Sequence, residues 1–172
     1  MDRVVVAHSP LGESLLFKSM TGHEALSCVY QYDIEFLCKD NSISLPDLLG
    51  KPITLVLNPR PGVTRYLSGI VTRMAFLGHE KHREEYYTYR AEVRPEIWYL
   101  TQNRGFRIWQ KQTVKQISEM GWNAAGRISE DRVTCTQCEW EFCVQSTVSC
   151  SDLIQTQMVE AGYHFTSEYL MA

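Results

Sequence analysis

Two-residue alternation is the strongest signal along the chain. In Tyr30-Gln31-Tyr32-Asp33-Ile34-Glu35-Phe36 every even position is apolar or aromatic and every odd one polar. That places four large side chains on one face of a half-buried strand. Pro52 to Asn58 repeats the pattern more weakly, with Ile53, Leu55 and Leu57 together and Pro52 in a strand's first position, where a missing N–H costs no ladder bond. Asn58-Pro59-Arg60-Pro61-Gly62 predicts a turn. A long strand follows, Arg65 to Leu77, with Tyr66, Ile70, Met74 and Phe76 on one side and Leu67, Val71, Ala75 and Leu77 on the other. Two apolar faces predict a strand covered on both sides or one curling through a barrel wall, and Gly69 within it predicts a bend or a close backbone approach. The return strand is Tyr86 to Arg94, stopped by Pro95.

Helical patterning is sparse. Leu45 to Leu49 is one or two turns ahead of Gly50. Thr113-Val114-Lys115-Gln116 fits a capping box, and the helix it starts is predicted to end at Gly121. Cys150 to Ala161 carries Leu153, Ile154, Met158 and Ala161 at helical spacing, with Gly162 behind it. Between these helices, Trp140, Phe142 and Val144 alternate with Glu139, Glu141 and Cys143. This predicts a strand with Cys143 on its solvent side. The reading is mainly β, a barrel-like antiparallel sheet with small helical additions, α+β overall. The expected division is a barrel over 1–112 and a helix-strand-helix segment over 113–172.

Composition narrows the function. A 172-residue chain with 44% hydrophobic residues and a net charge of −3 supports a packed core without disulfides or metal. The negative charge argues against a dedicated nucleic-acid binder and gives no polybasic membrane anchor. No apolar run approaches the ~20 residues of a spanning helix. Met1 to Ala7 lacks the apolar region of a secretory signal, so the expected site of synthesis is the cytoplasm and the six cysteines are expected to be reduced.

Candidate chemistry is thin. Cys135-x-x-Cys138, with Cys143 and Cys150 beyond, is the one zinc-like pattern, but only the first pair has ligand spacing. The expectation is four separate thiols and no metal. His79 and His82 share a charged loop. His23-Glu24 beside Ser19 and Thr21 holds hydrolase residue types without any motif that fixes a triad geometry. Tyr86, Tyr87 and Tyr89 beside Arg90 and Arg94 imitate a stacking platform for single strands, yet they equally fit a barrel strand with aromatics in its core. Neither G-x-x-x-x-G-K nor G-x-G-x-x-G occurs. No catalytic, cofactor-binding or metal residue is assigned, and the chain is not expected to be an enzyme.

Nine short segments in order resemble the N-terminal region of the VgrG spike proteins of the bacterial type VI secretion system. They are Tyr30-x-Tyr32-x-Ile34-x-Phe36, Leu48-Leu49-Gly50-Lys51-Pro52-Ile53-Thr54, Arg65-Tyr66-Leu67-Ser68-Gly69-Ile70-Val71-Thr72 and Tyr89-Arg90-Ala91-x-Val93-Arg94-Pro95. After them come Trp98-x-Leu100-Thr101, Arg107-Ile108-Trp109-Gln110, Val114-x-x-Ile117, Glu141-Phe142-Cys143-Val144-Gln145 and Met158-x-Glu160-x-Gly162.

The resemblance implies a fold of the phage baseplate hub type, with 113–172 opening a second hub-like domain. It also implies no catalytic residues and no cofactor, assembly with other VgrG chains as a homotrimer, and docking on the hexameric Hcp tube in support of effector delivery. The chain would then leave the cell through the type VI apparatus. Family chains continue through a second barrel and a needle, whereas this sequence stops at Ala172, which reads as a truncated or decaying spike protein, or a fragment of one. The late helix has Cys150, Ser151 and Gln157 where the family carries an acidic residue, an aromatic and a leucine. A second class stays open, a free-standing β-barrel module binding a protein or single-stranded nucleic acid.

Overall fold

The computed structural model describes residues 4–25, 28–60, 62–81, 85–102, 104–124, 139–146, 148–149 and 152–156. The chain forms two compact units, dividing between Glu96 and Ile97, ahead of the 112/113 join expected from the sequence.

The first unit is a six-stranded antiparallel sheet of β1 (Val5–His8), β2 (Leu16–His23), β3 (Gln31–Cys38), β4 (Pro52–Arg60), β5 (Val63–His79) and β6 (Tyr87–Arg94). The strand order is β1-β4-β5-β6-β3-β2. Its two edges, β1 and β2, are consecutive in the chain. A flat sheet would hold them roughly 24 Å apart across five inter-strand gaps. Residues 9–15 must bridge that distance, yet they include a 3-10 turn, Gly12–Ser14, and a hydrogen bond from Gly12 N to Ser9 O of 2.9 Å. So folded a connection falls well short of the flat span, and the sheet curls until β1 and β2 come into contact. The result is the curled, half-barrel sheet expected from the sequence.

The inner wall follows the alternation. Tyr32, Ile34, Phe36 and Cys38 of β3 meet Tyr89, Ala91 and Val93 of β6, Ile53 and Leu55 of β4, and Leu67 and Val71 of β5 in one buried cluster. Large faces small across the centre, with Ile34 opposite Ala91. The bulge in β5 accounts for part of its two apolar faces: a register shift between Val71 and Arg73 leaves Thr72 as an extra residue, while Ile70, on the other side before it, is buried outside the main cluster. Before this bulge the inward positions are odd, Leu67 and Val71. After it they are even, with Met74 against the core and Phe76 5.2 Å from the Tyr89 ring. The predicted turn around Pro59 is tighter than expected. β4 runs on to Arg60, and Pro59 sits in a register break between Leu57 and Arg60 where no ladder bond is required of it. A short helix α1 (Leu45–Leu48) buries Leu48.

In the second unit, α2 (Trp98–Gln102) precedes β7 (Arg107–Thr113), α3 (Val114–Ala124) and β8 (Glu139–Gln145). β7 and β8 form their own two-stranded antiparallel sheet. The capping box is present, with Thr113 Oγ1 accepting from Gln116 N at 3.3 Å and Gln116 Oε1 accepting from Thr113 N at 2.9 Å. The helix does not stop at Gly121 as predicted; it passes through this buried glycine and continues to Ala124. Of the late helix predicted from Cys150 to Ala161, residues 152–156 are helical and the remainder lies outside the described residues.

Candidate interaction surfaces

The residues weighed for chemistry are dispersed by the fold. Ser19 points its hydroxyl at Glu35, while the Glu24 carboxylate accepts from the Tyr32 hydroxyl and pairs with Arg65 at 2.7 Å. His23 is left exposed on the end of β2. Tyr89 is buried and donates to Asp40 O at 3.0 Å, and Tyr87 turns to His79 and Phe76. Tyr86 instead faces the Lys39 ammonium, 5.4 Å from its ring centre. Arg90 and Arg94 are held by Glu35 and Glu92, each at 2.7 Å. The tyrosines therefore do not share one platform, and both arginines are already neutralised.

Among the described residues no three His, Cys, Asp or Glu side chains converge as metal ligands. Cys28, Cys38 and Cys143 are free thiols; Cys135, Cys138, Cys150 and His82 lie outside the described residues. None of the described helices is long and apolar enough to cross a membrane.

Two surfaces remain. On the outer wall of the first unit, Lys18 of β2 reaches Glu80 at 2.5 Å and Glu35 at 3.5 Å, and Glu80 also accepts from Thr88 at 3.0 Å. Glu80 raises the Lys18 ammonium above its ordinary value. Arg90 foremost, with Lys18 behind it, holds the Glu35 carboxyl below the usual range, against burial, which acts in the opposite direction. The belt fastens the edge strand β2 to the strands beside it.

The second surface lies on β7–β8. The sequence placed Cys143 on the solvent side, and the structure reverses this: Cys143 is buried with Trp109, Ile117 and Leu153. The opposite register is open, with Phe106 78%, Ile108 67%, Phe142 62% and Val144 56% exposed. The alternation was visible in the sequence, but which register is covered depends on where Ile117 of α3 and Leu153 land.

A curled antiparallel half-barrel with a two-stranded helical annex, and no assembled chemistry among its described residues, is the architecture of a phage tail hub. The phage tail baseplate hub (GPD) family model matches residues 23–169, and the chain belongs to that family. It is 33% identical over 168 residues to the type VI secretion system spike protein VgrG1a of Pseudomonas aeruginosa, covering 96% of this chain and 26% of that protein. It is 32% identical over 165 residues to VgrG1b of the same organism, covering 95% and 22%. The chain thus spans about a quarter of the length of these relatives.

Among solved structures it is similar to an Escherichia coli component of the type VI secretion system that itself resembles T4 bacteriophage tail proteins. That match has a TM-score of 0.71 and 21% identity, over 85% of this chain and 40% of the other. The 43 kDa tail protein of a Shewanella oneidensis prophage matches with a TM-score of 0.59 and 15% identity, over 92% and 48%. Both show the fold.

Proposed function

We propose that this chain is a structural hub component of a type VI secretion spike, acting by assembly and carrying no catalytic site, cofactor or metal. The observation that carries the reading is the hub-family match over residues 23–169, joined to 33% identity with a VgrG spike protein across 96% of the chain. The barrel supports it chemically: its polar side chains are spent on fastening strands, as with Glu24 on Tyr32 and Arg65.

In this reading the second unit, from Ile97 onward, opens a further hub-like domain. The partners are the Hcp tube and other VgrG-type chains in a homotrimer, and the chain leaves the cell with the spike.

Co-sedimentation with assembled Hcp tubes tests the reading. The expected result is retention of the chain in the tube pellet that rises with its concentration. A pellet free of the chain across the whole micromolar range overturns it.

A further inference from the structure

β2 is the long edge of the six-stranded sheet, with eight residues and, among the described residues, β3 as its one ladder partner. β1, the other edge, has four. The two edges touch, but no ladder joins them. A long edge strand carries a row of backbone donors and acceptors on which a strand of another chain can form. One residue interrupts that row. Leu16 pairs with Leu37 and Phe17 with Phe36, then Ser19 pairs with Glu35, which leaves Lys18 as the inserted residue of a bulge. Lys18 is also the only Asp, Glu, Lys or Arg in the strand. Its ammonium is held 2.5 Å from Glu80 and 3.5 Å from Glu35. Glu80 is fixed in turn, accepting from Thr88 at 3.0 Å while its backbone N–H donates to Tyr86 O at 2.9 Å.

We propose that Lys18 guards this edge: the bulge and the clamped charge keep β2 from pairing with a strand of another chain, so that copies assemble through other surfaces. Two effects act together. An added strand keeps an uninterrupted two-residue period, and the inserted residue puts the stretches on its two sides out of step with it. A strand laid beside β2 also takes water from the Lys18 ammonium, and the Glu80–Glu35 clamp stops that side chain from swinging aside. Where the newcomer is the β2 of a second copy, antiparallel pairing centred here sets one ammonium against another.

The register isolates the role of this one residue. Without Lys18, the other residues of β2 pair one to one with Leu37 back to Gln31. Phe17, Met20 and Gly22 then share one face, and Leu16, Ser19, Thr21 and His23 the other. What remains is an unbulged edge strand with no acidic or basic residue but a terminal histidine, the kind that pairs readily with its neighbours.

Deleting Lys18 therefore removes bulge and charge together while every other β2 residue keeps its partner and its face; Lys18→Thr removes the charge and keeps the inserted residue. Sedimentation velocity of the full chain from about 5 to 500 μM, with near-ultraviolet circular dichroism to confirm native packing and hydrogen exchange of the β2 amides at each concentration, tests the proposal. Wild-type β2 amides are expected to exchange at one rate across the series, whatever oligomer forms. The deletion variant is expected to form species larger than those of the wild type at a concentration at least about tenfold lower, with its β2 amides gaining protection as they form. Lys18→Thr is expected to lie between the two. A natively packed deletion variant that sediments as the wild type does overturns the proposal. So does added association that leaves the β2 amides unprotected, or a wild type whose β2 amides gain protection with concentration. Should the deletion unfold the barrel, Lys18→Thr decides alone, and sedimentation equal to that of the wild type overturns the proposal. Failure to pellet with Hcp tubes bears on the hub reading and leaves this inference intact.

Discussion

The Tyr30 hydroxyl donates to the backbone carbonyl of Ser68 at 2.6 Å, tying the approach to β3 to the middle of β5, although β6 stands between those strands in the sheet. The bond therefore crosses the barrel interior instead of running along a ladder. The Tyr30 ring lies 4.9 Å from that of Tyr32, whose own hydroxyl meets Glu24, and Glu24 takes Arg65 of β5. Two tyrosines and one ion pair close this end of the curled sheet.

Replacing Tyr30 by Phe keeps the ring and deletes the bond. The expected loss is about 1 kcal/mol, read as a lower denaturant midpoint with an unchanged slope. The pH dependence shares the same origin. Burial first, with the Glu24 and Glu96 carboxylates behind it, pushes the Tyr30 phenol well above its ordinary value. The unfolded chain ionises near pH 10 while the native chain keeps the proton. Stability is thus full below about pH 10 and falls as pH rises beyond it. Tyr30→Phe is expected to show a shallower alkaline decline; identical declines would mean that this phenol is not the group responsible.

Gly69 gives a steric test. A Cβ built there would lie 2.7 Å from Arg94 O and 2.7 Å from Val93 Cγ1, and the carbonyl cannot move without disturbing the β5–β6 ladder. Gly69→Ala is expected to cost about 2 kcal/mol or more. A melting temperature equal to that of the parent would show that the two strands can separate freely at this point.

Much of this was legible before any coordinates, and the gaps have physical causes. The alternation from Tyr30 to Phe36 gave β3 its face, and Gly69 announced the close approach. The bulge at Thr72 was visible only as an excess of apolar residues on β5, because strict two-residue counting has no place for an inserted residue. β2 went unread because nearly all of it is exposed or half-buried, so no apolar face marks it. For β8 the period was right and the face was wrong: Trp140, Phe142 and Val144 are the larger side chains, but burial went to the register that Ile117 covers. The hub resemblance came from segments in order, each too short to locate a surface.

The Glu35 carboxylate should govern part of the acid response. Its native pKa is depressed, chiefly by the Arg90 hydrogen bond. The unfolded state therefore takes up protons first, and stability present above about pH 4.5 is lost as pH falls through the native value. Glu35→Gln is expected to flatten this limb. At neutral pH the change should cost only about 0.5–1 kcal/mol, since Arg90 is half-exposed and water screens the pair. Urea midpoints from pH 3 to 7 decide it, and parallel curves for the two proteins would refute the assignment.

Hydrogen exchange separates the two units energetically. β3 and β6 have bonded neighbours on both sides, and their inward side chains fill the main cluster, so their amides open only when the barrel unfolds. Among the described residues β7 and β8 pair only with each other and carry a small cluster on one face, and a two-stranded sheet is marginal in water without broader support. Amides such as those of Ile34, Phe36, Tyr89 and Ala91 are therefore expected to exchange at least about a hundredfold more slowly than those of Trp109 and Cys143. Equal protection in both sheets would show that they unfold as one cooperative body, and the division at Glu96–Ile97 would then mark only a change of shape, without a change of stability.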